Sequence, residues 1–251
     1  MTKRFLNQVM RTTKHSFLLA LTLCVAPMSA FSEDNPVDGM LASLSPYEAI
    51  YTAYKWGDDV GNASITLTSL GNDQYSLNYS SKVSKFFLSD KRSEHSIFFI
   101  KDGEVTPSKY YYSRSGTGPD KSLEVTFNTS NNGSIVVDDE ARFTYSGEFD
   151  NQIYRLDLAQ QLARGETSFS YRFINYRGQQ REYGVEVVDS EVVSLPYGDV
   201  QALKVKLIRE SKTRETFAWF APSLDYALVR LQQFKDGDEQ GDIRLKKFTT
   251  F

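Results

Sequence analysis

From Tyr47 onward the chain alternates apolar and polar residues in short runs broken by turn formers. Tyr47, Ala49, Tyr51 and Ala53 alternate with Glu48, Ile50, Thr52 and Tyr54, and Ala63, Ile65 and Leu67 with Ser64, Thr66 and Thr68. Tyr75, Leu77 and Tyr79 alternate with Ser76, Asn78 and Ser80. A period of two is that of a pleated strand. Gly57-Asp58-Asp59 and Leu70-Gly71-Asn72-Asp73 supply turns between the runs. The chain therefore begins as a meander that is apolar on one face. In Ser93–Lys101 the block Phe98-Phe99-Ile100 predicts a strand covered on both faces, and Asp102-Gly103 a tight hairpin. Pro107 marks an edge or a bulge. Alternation continues at Leu123, Val125 and Phe127, at Ile135–Val137, at Phe169, Tyr171 and Phe173, at Tyr183, Val185 and Val187, at Val192–Leu195 and at Leu203, Val205 and Leu207.

A helical period occurs once after the N-terminal segment. Asp150 suits an N-cap and Gly165 a C-terminal stop. Between them Tyr154, Leu158 and Leu162 form a stripe widened by Leu156, Ala159 and Ala163, with Asp157, Gln160, Gln161 and Arg164 opposite. This helix, over about residues 151–164, must cover an open face or mouth of the sheet.

The chain centres on a strand, a corner and a strand at Trp219–Gln233. Phe217 and Trp219 alternate with Thr216, Ala218 and Phe220, and Pro222 ends the pairing. Ala227, Val229 and Leu231 then face away from Leu228, Arg230 and Gln232. In the last strand Ile243, Leu245 and Lys247 face away from Arg244, Lys246 and Phe248. Two large aromatics beside a proline corner make either a core corner or the rim of a ligand cavity. A dozen or more strands exceed what an open twisted sheet usually holds. The expected fold is mainly β: one large antiparallel curled sheet closing into a barrel or half-open barrel, or splitting into a two-sheet sandwich, with one helix. No fixed-period repeat or low-complexity linker divides residues 46–251, so they are expected to form a single domain after a short tail at 33–45.

The N-terminus changes the picture of where this sheet works. Lys3, Arg4, Arg11 and Lys14 precede an apolar run from Phe17 to Ala26. That run is too short to span a bilayer and fits a signal peptide over residues 1–32, cleaved near Ala30 or Ser32. The expected location is the periplasm. The one cysteine, Cys24, lies inside this run, and Leu23 before it does not suit a lipid-anchoring site. Losing the four cations of the leader takes the formal charge from −3 to −7. Such a balance argues against nucleic acid as a partner. No other stretch is long and apolar enough to cross a membrane as a helix.

Candidate chemistry is sparse. His95 is the one histidine after the leader, and with no cysteine a metal cluster lacks ligands. In the string Asp236-Gly237-Asp238-Glu239-Gln240-Gly241-Asp242, Asp236, Asp238 and Gly241 fit positions 1, 3 and 6 of a calcium loop, but Lys247 stands where the bidentate Glu belongs, so the string is expected to be a solvated hairpin tip. Adjacent acids such as Asp58-Asp59 and Asp138-Asp139-Glu140 point to opposite faces and form no dyad. There is no Gly-x-Ser-x-Gly elbow. No cofactor, metal or catalytic residue is assigned. The candidate ligand-binding residues are Trp219, Phe220, Tyr226, Trp56 and Tyr154.

The string Leu195-Pro196-Tyr197-Gly198 leads into Ala202-Leu203-Lys204-Val205, and Trp219-Phe220-Ala221-Pro222 is followed by Tyr226, Arg230 and Gln233. With Gly61-Asn62-Ala63, Asp102-Gly103 and Pro107 these resemble the proteobacterial domain-of-unknown-function family 3108 (DUF3108) over residues 45–250. The resemblance implies an exported, β-rich envelope protein and carries no activity or catalytic residue. The leading expectation is a periplasmic β-barrel-like protein without enzymatic activity that binds an apolar or amphipathic ligand, such as a lipid, in its concave face, with a role in envelope maintenance. An envelope scaffold binding a protein partner through a sheet edge or rim is second. A hydrolase of envelope glycans, which needs distant carboxylates brought together, is third.

Overall fold

The alternating runs form strands almost throughout. The computed structural model describes residues 44–85, 87–209 and 213–251. The leader read at 1–32, its cleavage positions at Ala30 and Ser32, and the tail as far as residue 43 lie outside the described residues. The first eight strands are β1 (Tyr47–Lys55), β2 (Asp58–Gly71), β3 (Gln74–Lys85), β4 (Leu88–Lys101), β5 (Glu104–Gly116), β6 (Lys121–Asn128), β7 (Ser134–Val137) and β8 (Glu140–Thr144). A two-residue β9 (Phe149–Asp150) leads into helix α1 (Tyr154–Ala163). Strands β10 (Ser168–Ile174), β11 (Gln180–Leu195), β12 (Gly198–Ile208) and β13 (Arg214–Ala221) follow. A 3-10 turn at Pro222–Leu224 separates β13 from β14 (Ala227–Lys235), and β15 (Asp238–Thr250) ends the chain.

Among the described residues all fifteen strands join one sheet in the order β8-β7-β6-β5-β4-β3-β2-β1-β15-β14-β13-β12-β11-β10-β9. The first and last strands are partners: Tyr47 lies opposite Thr250 and Tyr54 opposite Asp242. Two meanders run outward from that central pair. Neighbours are antiparallel except β9 and β10. Trp56-Gly57, Asn72-Asp73, Asp102-Gly103, Asp138-Asp139 and Asp236-Gly237 each place both turn residues in the left-handed region, the geometry whose twist matches that of paired strands.

The sheet rolls up without a closing ladder among the described residues. Its β9–β10 end packs against the inner face of β4–β7, where Ile174 joins Tyr110, Val125, Phe127, Ile135 and Val137 in a second core cluster. Gly178, at the turn after β10, has φ +67, and a Cβ there would lie 2.7 Å from Val137 Cγ1. Only glycine permits this contact without strain. The result is a half-open barrel closed by side chains. The larger core gathers Tyr51, Leu67, Phe98, Phe220 and Leu245 with Ile153, Leu158 and Leu162 of the helical segment.

The helix is fixed at both ends. The N-cap position of α1 is Ile153, which offers no side-chain cap, and not Asp150 as expected; Asp150 Oδ1 instead accepts the N–H groups of Gln152 (2.7 Å) and Ile153 (2.9 Å) in the turn that leads into α1. At the other end Glu166 N–H donates to the Gln161 carbonyl (3.1 Å) and Gly165 N–H to the Leu162 carbonyl (3.0 Å), the paired bonds of a Schellman stop.

Four strand readings need correction, the first three at a bulge. The runs at Tyr183–Val187 and Val192–Leu195 are one strand, β11, whose pairing with β12 slips between Val187 and Asp189. In β14 Leu231 pairs with Ala218 and Leu228 with Phe220. The extra residue puts Leu228 and Leu231 on one face, so Leu228 does not share a face with Arg230. In β15 Leu245 pairs with Tyr51 and Phe248 with Ala49, so these two face inward together. The β4–β5 pairing also slips, at Phe98 opposite Pro107. Phe99 is only half-buried between buried Phe98 and Ile100, so that strand is fully covered on one face only.

Candidate functional site

The rolled sheet leaves a partly open cavity of about 430 Å³ between its inner face and α1. Tyr47 of β1, Ile65 and Leu67 of β2 and Leu77 of β3 form one side, continued by Phe248 and Thr250 of β15. Ala227 and Leu228 of β14 and the corner residues Phe220, Pro222, Leu224 and Tyr226 form another. The helix contributes Arg155, Leu156, Ala159, Gln160 and Ala163. Spacings of four residues (155, 159, 163 and 156, 160) place these on one side of the helix. The volume lies toward the small end of the ~300–1,000 Å³ typical of ligand pockets, and an apolar wall with few polar groups is typical too.

Gln160 was expected opposite the apolar stripe. It faces the cavity instead, because α1 is covered on two sides. Its other side packs on β10: Tyr154 stacks on Phe173 (centroids 5.3 Å apart) and Asp157 accepts the Tyr171 hydroxyl at 2.8 Å. Gln160 Nε2 is buried and has no hydrogen-bond partner among the described residues. Arg155 donates its Nε and Nη2 to the carbonyl and side-chain oxygens of Gln152. Burial pushes the Tyr47 hydroxyl up to about 12 against the pull of Arg155, and burial holds Tyr51 well above the usual phenol range. The Tyr51 hydroxyl donates to the Leu228 carbonyl at 2.7 Å, tying β1 to β14 across the interior. These phenols are therefore neutral at physiological pH, and Arg155 supplies the positive charge of this wall.

Of the residues singled out from sequence, Phe220 and Tyr226 lie on the cavity wall. Trp219, Trp56 and Tyr154 do not. Trp219 pairs with Lys204 and Arg230 on the opposite face of the sheet. It is buried there, with its Nε1 donating to Glu191 (2.7 Å) and its ring flanked by Lys204 and Arg230. Trp56 is a turn residue with 64% exposure, its ring near Lys55 and Lys85. Tyr154 is on the β10 side of the helix, within the aromatic stack just described. Among the wall residues the sequence reading missed are Tyr47, Ile65, Leu67 and Leu77 of the first strands, Leu228 and Phe248, hidden by the bulges, and Arg155 and Gln160. The i, i+4 spacing of Arg155 with Ala159 was the available signal.

Two distant carboxylates do converge, as the hydrolase reading asks. Glu94 of β4 accepts the Tyr110 hydroxyl (2.6 Å) and the Asn151 amide (2.8 Å). Beside it Asp150 is fully buried, and its carboxyl is pushed up to about 6, first by burial and also by the Glu94 charge, against the bonds from Ile153, Gln152 and Ser96. The Ser96 bond is loose: Ser96 Oγ and Asp150 Oδ2 each lack a partner of good geometry. Both acids are sealed in the interior, away from the cavity wall. Their hydrogen bonds fasten the start of the helical segment to β4 and β5. Asp242, read as part of a solvated tip, is also buried, held by Arg230 and Arg244. Among the described residues no three His, Cys, Asp or Glu side chains group as a metal site, and no helix is long and apolar enough to cross a membrane.

A family profile described as a protein of unknown function, DUF3108, matches residues 47–244. No curated protein matches the chain. Among solved structures, a β-barrel-like protein of a different domain of unknown function, DUF1849, from Brucella abortus is 8% identical, with a TM-score of 0.56 over 83% of this chain and 98% of that one. That likeness shows the fold alone. An exported protein, so described, with a YmcC-like fold from Bacteroides fragilis is 11% identical, with a TM-score of 0.33 over 82% of this chain and 97% of that one. A protein described as a lipoprotein from Parabacteroides distasonis is 12% identical, also with a TM-score of 0.33, over 82% and 96%. Scores this low carry no argument.

Proposed function

The chain belongs to the DUF3108 family, and we propose that this member is a non-enzymatic periplasmic protein that binds an apolar or amphipathic ligand in the concave face of its half-open barrel, with a role in envelope maintenance. The observation that carries this reading is the cavity itself: about 430 Å³ between sheet and helix, walled mainly by Leu, Ile, Phe and Ala. A cavity so lined favours hydrocarbon, at ~0.8 kcal/mol for each methylene removed from water. The leader at residues 1–32 supports delivery across the inner membrane. The scaffold reading draws less support, since the sheet edges are short: a five-residue β8 carrying Glu140 and Arg142, a two-residue β9 and the stretch of β10 that β9 leaves uncovered. The hydrolase reading draws less as well, because Glu94 and Asp150 are enclosed.

Native mass spectrometry of the full-length gene product purified from a bacterial host tests the binding reading. The expected result is a bound mass that is released on activation and fragments as a lipid. Ala159→Phe, which places a ring in the cavity, should abolish it. A wild-type protein that stays empty and also binds no added fatty acid or fatty alcohol would end the proposal. Cell fractionation checks the location, with recovery in the periplasmic fraction expected.

A further inference from the structure

Ser45, Tyr47, Asp225, Tyr226 and Thr250 put polar groups on the sheet and corner sides of the cavity, and Arg155 and Gln160 put others on its helix side. Arg155 is half-buried there, and its neighbours are Gln152 oxygens rather than a carboxylate. Every ion pair among the described residues involves other cations. Arg230 and Arg244 share Asp242, and Arg92 and Arg114 share Asp90. Asp225, the carboxylate on the cavity wall, is exposed at the corner and makes no ion pair with Arg155. A guanidinium has five N–H donors, and Gln152 takes two of the Arg155 groups, leaving donors free. Gln160 Nε2 adds a buried donor with no acceptor. The charge of Arg155 is felt at Tyr47, Tyr51 and Tyr79 on the inner face of β1–β3 and at Tyr154 on the β10 side of the helix. The buried Gln160 amide is costly unpaired, and the half-buried Arg155 has donors that face a partly open cavity and meet no carboxylate there. An occupant bringing anionic oxygens and a hydrocarbon tail would satisfy both.

Resting on the ligand-binding reading, we propose that the cavity takes a single acyl chain ending in an anionic oxygen group, a carboxylate or a phosphate, and that Arg155 and Gln160 hold that group. The small volume suits one chain. The apolar side formed by Leu67, Leu77, Leu228 and Phe248 takes the tail.

Displacement of dansyl-labelled undecanoic acid from the purified full chain, below micellar concentrations, reads this out. Palmitate, hexadecyl phosphate and hexadecanol have matched chains and differ in the head. Palmitate or hexadecyl phosphate should displace at about tenfold lower concentration than hexadecanol, the factor expected of a charge-assisted hydrogen bond. A preference between the two acids distinguishes a free fatty acid from a phosphate-headed lipid. Arg155→Gln should erase most of the difference, Arg155→Lys should restore part of it, and hexadecanol should be unaffected. Gln160→Leu, similar in size, should weaken the acids alone, and it carries the test should Arg155→Gln fail to fold. Equal displacement by all three ligands, unchanged in Arg155→Gln and Gln160→Leu, would overturn the anionic-head assignment and leave hydrocarbon binding standing. Failure of the labelled acid to bind at all, or binding that Ala159→Phe does not weaken, would remove the cavity reading and this assignment together.

Discussion

Asp150 holds the turn that enters the helix and carries a cost for its burial. Its Oδ1 accepts the N–H groups of Gln152 and Ile153, yet its carboxyl is fully buried beside Glu94 and is raised from 3.8 to about 6. A raised folded-state value means that the fold prefers the protonated acid. The contribution of Asp150 to stability is therefore complete below pH 3.8 and is lost as pH rises through about 6. At pH 7 the ionised form costs about 3 kcal/mol relative to the protonated one. Asp150→Asn keeps an oxygen for both N–H groups and carries no charge to bury. The variant should match or exceed the wild type in urea unfolding at pH 7.5, and the difference should shrink as pH falls below 5. A difference flat across that range would show that the ionisation of Asp150 is not linked to folding. The sequence marked Asp150 as a cap, because Asp before an apolar helical stripe has few other uses. Its burial depends on β4 and β5, more than thirty residues away along the chain, and local pattern holds no record of that.

At the scale of elements, strands and turns were legible and their faces were not always. Asp102-Gly103 and Asp236-Gly237 gave hairpins because only a few residue pairs accept two left-handed positions in succession. A bulge adds one residue and reverses the face of everything beyond it. That is why alternation alone groups Leu228 with Arg230 and sets Phe248 opposite Leu245, although Leu228 and Phe248 are both on the cavity wall. The same strands misled the reading of Asp242, which follows a string of tip-like acids but lies opposite Tyr54 within the ladder. There it receives Arg230 through both oxygens (2.9 and 2.7 Å) and Arg244 (2.9 Å). Asp242→Ala leaves two guanidinium groups clustered without their counter-charge. The expected loss is about 3 kcal/mol, the low end for breaking a buried pair, because both arginines still reach water. Thermal unfolding checks it. A change below about 0.5 kcal/mol, the scale of an ordinary surface position, would restore Asp242 to the solvated tip.

At the scale of the whole molecule, one strand decides whether there is a barrel. Local alternation predicts each meander, and the strand count predicts curling. Neither predicts that the last strand lies between β1 and β14 and joins the two meanders. That pairing spans nearly the full described chain, and an encounter so remote in sequence leaves no periodic signature. Without β15 the β1–β8 and β9–β14 portions share no ladder. They keep only side-chain contacts such as the Asn151 amide on Glu94 and Ile174 in the second core cluster. The cavity also loses Phe248 and Thr250. Truncation after Gly237 should therefore act globally: no cooperative unfolding transition, strong binding of a hydrophobic dye and rapid proteolysis. An edge lesion is the contrast. Arg142 is the extra residue at the β7–β8 slip, and β8 pairs on one side only. Arg142→Pro removes no ladder bond from the interior of the sheet and should leave a sharp transition with a small shift in midpoint. If the truncated chain instead unfolds cooperatively near the wild-type midpoint, side-chain packing at the rolled-in end holds the barrel together, and the β1–β15 pair is an ornament of the fold rather than its joint.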